Sequence, residues 1–176
     1  MNISNFSRAR LLLAAALIGS AASQAQAAEF KSLAYPYTLI VPDDWQSKKV
    51  EGVDVALAAP STGGLVPASL NVSATPVPAD LKVTLDDLRA LMLKQAGEAV
   101  KNFKLIGDTS LTVGGLPGRE LSYSGLQQSV PMRWVQRVTL KNNVAYILTF
   151  GASQSAFDKN QAAGLAVLDS FKLNAK

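Results

Sequence analysis

Apolar residues recur at every second position from residue 37, where Tyr37, Leu39 and Val41 alternate with Thr38 and Ile40 before Pro42-Asp43-Asp44-Trp45. A period of two predicts a strand closed by a turn, with Trp45 folding back onto the core. Val53, Val55, Leu57 and Ala59 repeat the pattern. Pro60 to Pro67, with Gly63-Gly64 between, predicts a loop before Leu70, Val72 and Ala74 alternate again; Pro76 and Pro78 end that third strand.

The period then changes. Thr84, with Asp87 three residues on, predicts an N-cap, and Leu85, Leu88, Leu91, Met92, Ala96, Ala99 and Val100 follow at helical spacing. A helix over about 84–101 lays this broad stripe on a sheet, with Arg89, Lys94, Glu98 and Lys101 pointing elsewhere. Four further strands are expected at about 104–113, 118–124, 131–141 and 144–152, divided by Gly114-Gly115, Gly125 and Asn142-Asn143. Links this short imply antiparallel hairpins, and Asn142-Asn143 suits a two-residue turn with positive φ. A second helix begins at Ser155, with Asp158 three residues later, and carries Phe157, Gln161, Gly164, Leu165, Leu168 and Phe171 on one face. Gly164 permits close approach to the sheet. The order of three strands, helix, four strands, helix argues α+β rather than alternating βαβ winding. Periodicity leaves open whether the helices share a face of the sheet or take one each.

The first 27 residues read differently. Arg8 and Arg10 precede the apolar run Leu11 to Ala22, and Ala25-Gln26-Ala27 supplies a small-x-small cleavage signal. The run is too short for a hydrocarbon core that needs roughly 20 residues, so a secretory signal peptide cut after Ala27 is expected, with a single domain over 28–176. The expected location is the periplasm. A lipid anchor would need a cysteine after the run, and the chain has none. Arg8 and Arg10 gone, 15 basic residues face 13 acids, a net charge of +2 in place of +4. That balance lacks the concentrated positive field of a nucleic-acid binder.

The chain has neither histidine nor cysteine. It therefore has no Ser-His or Cys-His pair, no disulfide and no zinc site of the common kind. Asp43-Asp44 and Asp86-Asp87 are adjacent acids; the second pair falls in the first turn of a helix, where acids favour the dipole, and the first lacks the spaced ligands of a calcium loop. Gly114-Gly115-Leu116-Pro117-Gly118 is not followed by Lys-Ser/Thr and links strand to strand, so it is a hairpin loop and not a phosphate cradle. Neither a Ser-x-x-Lys nor a Gly-x-Ser-x-Gly pattern occurs. No enzyme, metal or cofactor is expected.

The more informative constellation is Arg133, Val135, Arg137, Thr139 and Lys141, which share one face of a strand while Met132, Trp134, Gln136, Val138 and Leu140 share the other. One reading is a solvated face or a charge-guarded edge strand. The functional reading is a shallow site for an anion or partner, built on bidentate arginine contacts, with Arg119 joining if its strand pairs alongside. A free face of this kind would tolerate charge reversal at positions 133 and 137 with little change in melting temperature.

Three segments, Tyr37 to Trp45, Gly115 to Tyr123 and Asp169-Ser170-Phe171, resemble those of the PsbP-like and DcrB-like proteins. The resemblance covers roughly residues 30–172. It implies a central antiparallel sheet of about six or seven strands covered by two main helices, and an accessory or adaptor role like that of extrinsic photosystem II subunits, bacterial envelope lipoproteins and effector chaperones. It carries over no catalytic residue. The lipidated cysteine common in DcrB-like members and the histidine metal site discussed for plant PsbP have no counterpart here, and the secretory signal counts against a cytoplasmic chaperone. The sequence thus points to a non-enzymatic periplasmic accessory protein docking on an envelope partner, with no stable membrane anchor. The alternative is a carrier of a small anionic or amphipathic ligand held between sheet and helix.

Overall fold

The computed structural model describes residues 26–61 and 66–174, so residues 1–25 of the expected signal peptide lie outside the described residues. A seven-stranded antiparallel sheet dominates, in the order β3-β4-β5-β9-β8-β7-β6. Its strands are β3 (Gln46–Lys48), β4 (Val55–Ala58), β5 (Ser69–Pro76), β6 (Lys101–Val113), β7 (Leu116–Gln127), β8 (Val130–Lys141) and β9 (Val144–Ser153). A second sheet of three strands joins β1 (Ala27–Lys31), β2 (Tyr37–Pro42) and β10 (Lys172–Leu173). The strand read from Tyr37 to Val41 therefore belongs to the small sheet, not the large one. Ala27, after which cleavage is expected, opens β1 opposite Pro42.

The expected hairpins form. Asn142 and Asn143, with φ of 50° and 57°, join β8 to β9, and Gly114-Gly115, with φ of 60° and 87°, join β6 to β7. The break expected at Gly125 does not occur. β7 runs on to Gln127 and turns at Gln128-Ser129, because Gly125 sits where a Cβ would lie 2.3 Å from Val100 Cγ1. It is a close-approach glycine inside a strand.

Helix α1 (Leu85–Ala99) starts as the sequence predicts: the Thr84 hydroxyl accepts from Asp87 N at 3.2 Å, and Asp87 Oδ2 accepts from Thr84 N at 2.9 Å. Helix α2 (Gln154–Asp169) starts one residue before the expected Ser155, and its Ser153 cap makes no side-chain capping bond. Asp158, expected to mark its first turn, pairs with Arg133 instead.

The two helices lie on opposite faces, which settles the alternative that periodicity left open. α2 and the small sheet bury Tyr37, Leu39, Leu70, Val72, Leu148, Phe150, Phe157 and Leu168 in one cluster, whose β9 members are the alternating residues of the predicted strand. α1 covers the other face, where Leu88, Met92 and Ala96 pack with Leu121, Tyr123, Trp134 and Val138. Phe171 follows α2 and closes the first cluster against Tyr37, with ring centroids 5.2 Å apart.

Gly164 lets α2 settle on the sheet, since a Cβ there would lie 2.3 Å from Cε2 of the Phe150 ring. Phe150 is fully buried and cannot retreat. Gly164→Ala should therefore lose about 1–3 kcal/mol to overpacking, against the usual helical gain of alanine over glycine. The check is the denaturant midpoint; an unchanged or raised midpoint contradicts the close approach.

Candidate functional site

The arginine face proves to be the underside of α2. Register pairs Glu120 with Arg137 across β7 and β8, which places both on the side that carries Phe150 and Leu148 of β9. Arg137 is 8% exposed. Its Nε donates to Glu120 Oε2 at 2.8 Å and its Nη1 to Asp169 Oδ1 at 2.6 Å. Asp169 ends α2, where an acid opposes the helix dipole, and the guanidinium offsets that charge. Arg133, two positions further along the same face beyond Val135, stands 4.2 Å over the Phe157 ring and donates to Asp158 Oδ1 at 3.2 Å. The two arginines thus hold α2 near both ends. A face expected to be free for a partner is occupied by the protein's own helix.

The other two candidates fall elsewhere. β7 does pair alongside β8, but Arg119 stands opposite Val138, on the α1 side of the sheet. There it donates to Ser110 Oγ at 2.9 Å and to Asp86 Oδ1 at 2.7 Å. Lys141 shares the arginine face but lies at its end, donating from Nζ to the Asn174 carbonyl at 3.0 Å. The four residues do not form one site. Of the acidic pairs, Asp86 meets Arg119 and Asp87 caps α1, while Asp43 and Asp44 lie in the turn before Trp45. Among the described residues no group of three or more His, Cys, Asp or Glu is placed to hold a metal.

The segments that carry the family resemblance meet at the α2 side. Glu120 and Asp169 share Arg137, the Ser170 hydroxyl accepts from Ile40 N at 2.8 Å, and Phe171 packs on Tyr37. Tyr37 also donates its hydroxyl to Asp54 Oδ2, which accepts from Ser32 Oγ at 2.7 Å. Their shared work is structural.

The α1 side is open by comparison. Between α1 and the β5–β9 part of the sheet lies a cavity of about 510 Å³, inside the range typical of small-ligand sites. Its floor is Ser73 and Thr75 of β5 with Ala145 and Ile147 of β9; Leu88 and Leu91 of α1 form one wall. Gln95 lines both this cavity and a second of about 240 Å³ on the other flank, where Tyr123 stacks on Trp134. Leu91, placed by periodicity in the buried stripe, is 48% exposed. Val50 and Leu81, at 50% and 55%, lie two residues from Gly52 and Val83, which also line the larger cavity. Leu91 thus puts an exposed apolar side chain at the lining of the larger cavity. Sequence reasoning missed it because its walls come from four separate segments. The apolar residues Val77, Pro78, Leu81 and Val83, spaced through the segment before α1, were the one local signal.

No protein-family model matches the sequence, and no curated protein sequence matches it. Solved structures do. The cyanobacterial PsbP (CyanoP) of Synechocystis sp. PCC 6803 aligns with a TM-score of 0.65 at 17% identity, over 87% of this chain and 95% of that one. LpqN, described as involved in cell envelope biogenesis of Mycobacterium tuberculosis, aligns at 0.59 and 16%, over 85% and 91%. The Ran-binding protein Mog1p of Saccharomyces cerevisiae aligns at 0.60 and only 7%, over 84% and 95%. At these identities the likeness is one of fold: the chain has the Mog1/PsbP fold, as the resemblance in its sequence implied.

Arg137→Ala should cost about 2–3 kcal/mol, because the buried guanidinium's charge-assisted bonds to Glu120 and Asp169 are lost together. Arg133→Ala should cost about 1 kcal/mol, as its pair is exposed and only its ring contact is sheltered. Equal and small losses in denaturant unfolding would show that neither clamps the helix.

A pH profile gives a second check. Burial, and then the Asp54 hydrogen bond, raise the Tyr37 phenol far above its ordinary range, and burial pushes Tyr123 up to about 12. The folded state holds these protons more tightly than the unfolded chain, whose phenols titrate near pH 10. Their contribution is complete below pH ~10 and is lost as pH rises through the interval above it. Unfolding free energy should fall between pH 10 and 12, less steeply in Tyr123→Phe; a flat profile contradicts the burial of these phenols.

Proposed function

We propose that the chain is a non-enzymatic accessory protein of the bacterial periplasm that docks on an envelope protein, with the α1 flank as its working surface. The observation that carries this reading is the contrast between the two faces of the sheet. On the α2 side, Arg133 and Arg137 are spent on ion pairs within the chain. On the α1 side, an apolar cavity opens beside the exposed Leu91.

Two further observations support it. The pattern of residues 1–27 is that expected of a signal peptide that directs a chain across a membrane, and among the described residues no helix is long and apolar enough to cross one. Solved proteins of this fold include one described as involved in cell envelope biogenesis and one described as Ran-binding, the first an envelope role and the second one of association.

The carrier reading is favoured by one specific observation, the volume and apolar walls of the same cavity. The two readings share a surface and differ in its occupant.

The test is cross-linking in living cells with a photoreactive residue at position 91, and at Lys159, exposed on α2, as the control. Adducts of protein size at 91 and none at 159 are expected. Adducts at 159 alone would move the docking surface to the α2 side and contradict the assignment.

A further inference from the structure

Among the described residues that line the larger cavity beside α1, one is charged, and that charge is negative. Asp87 stands at the N-terminal end of α1, and Leu91 and Gln95 follow it at intervals of four, so the three form one stripe along the flank that meets the cavity. Both Thr84 donors, the backbone N–H and the hydroxyl, go to Oδ2, at 2.9 and 2.6 Å. Among the described residues Oδ1 accepts no hydrogen bond. These bonds from Thr84 hold the Asp87 carboxyl below its ordinary range, so it is ionised at neutral pH.

Among the described residues Asp87 forms no ion pair, and its carboxylate meets only the positive end of the helix dipole. The loop leading to Gly52 carries Lys49 and Glu51, and the loop leading to Val83 carries Asp80 and Lys82, so each cancels internally. Lys94 and Glu98 balance each other one turn apart on α1. Asp86 is paired with Arg119. Two of the amides that an anion could use at this helix end, those of Thr84 and Asp87, are already taken by the capping box. An anionic head would meet Asp87 with no cation among the described lining residues to offset it.

The interior suits an apolar body. Leu88, Leu91, Val77, Val83, Ala145 and Ile147 supply the walls, and Ser73, Thr75 and Gln95 supply the few polar contacts. We propose that this cavity binds a single-chain amphiphile with a cationic head, its tail between α1 and the β5–β9 floor and its head at Asp87. This rests on the α1 flank being the working surface, and it narrows the ligand class expected from the sequence by removing the anionic members.

The test is calorimetric titration of the purified chain with decyltrimethylammonium, decyl maltoside and decyl sulfate, each below its micelle concentration. One site is expected, with the ammonium bound at least about ten-fold more tightly than the sulfate. Asp87→Asn keeps an acceptor for Thr84 and should bring the ammonium to the affinity of the maltoside. Ser73→Phe and Ile147→Trp fill the floor from two different strands at half-buried positions, and each should abolish binding of all three. Equal affinity for the three heads, preference for the sulfate, or binding that neither floor variant disturbs would overturn the inference. Protein adducts at position 91 without ammonium binding would sink this inference alone; ammonium binding without such adducts would sink the docking reading alone.

Discussion

The shared guanidinium of Arg137 is the contact on which the α2 side depends. β8 and β9 are central strands of the large sheet and α2 covers one of their faces, so a polar side chain buried on that face must find its partner inside the protein. Arg137 meets that constraint with one carboxylate from the neighbouring strand and one from the end of α2. The same contact decides where the helix ends, because Asp169 is fixed just before Ser170 and Phe171 turn back to the small sheet. Gly164 sets the distance at which α2 sits, and Arg133 holds its first turn.

The α1 side lacks an equivalent. α2 buries Ala156, Phe157, Asn160, Gly164, Val167 and Leu168, while α1 buries only Leu88, Met92 and Ala96. Its ties to the sheet run at one edge, through Arg119 to Asp86 and through Arg89 Nε to Asp108 Oδ2 at 2.5 Å. The opposite flank, facing β5 and β9, is where the larger cavity opens. A helix tied along one edge and loose along the other can admit a guest without loss of the fold, and regions that bind are drawn from the less stable parts of a structure. The division of labour follows: the α2 face stabilises, and the α1 flank is left for binding.

Much of the fold was legible because it is written locally. Thr84 and Asp87 announce α1, Asn142-Asn143 announce the β8–β9 turn, and Tyr146, Leu148 and Phe150 alternate as a strand buried on one side must. What was not legible depends on placement. Alternation showed that Arg133 and Arg137 share a face with Val135, but not that a helix lies on it; a basic row under a helix and one facing water have the same period. Arg119 needed the register of the β7–β8 pairing, in which Arg119 opposes Val138 and Glu120 opposes Arg137. A shift of one residue would have exchanged them. β1, β3 and β10 are short edge strands with almost no periodic signal, and the cavity exists only once α1, the loop before it and two strands have met.

Amide hydrogen exchange of the protein alone tests most directly whether the two faces differ in this way. The account predicts that amides in the middle of α2 exchange only through global unfolding, while those of α1 exchange through a local opening of lower free energy that leaves β8 and β9 protected. Protection of α1 equal to that of α2, lost in the same cooperative step, would contradict it.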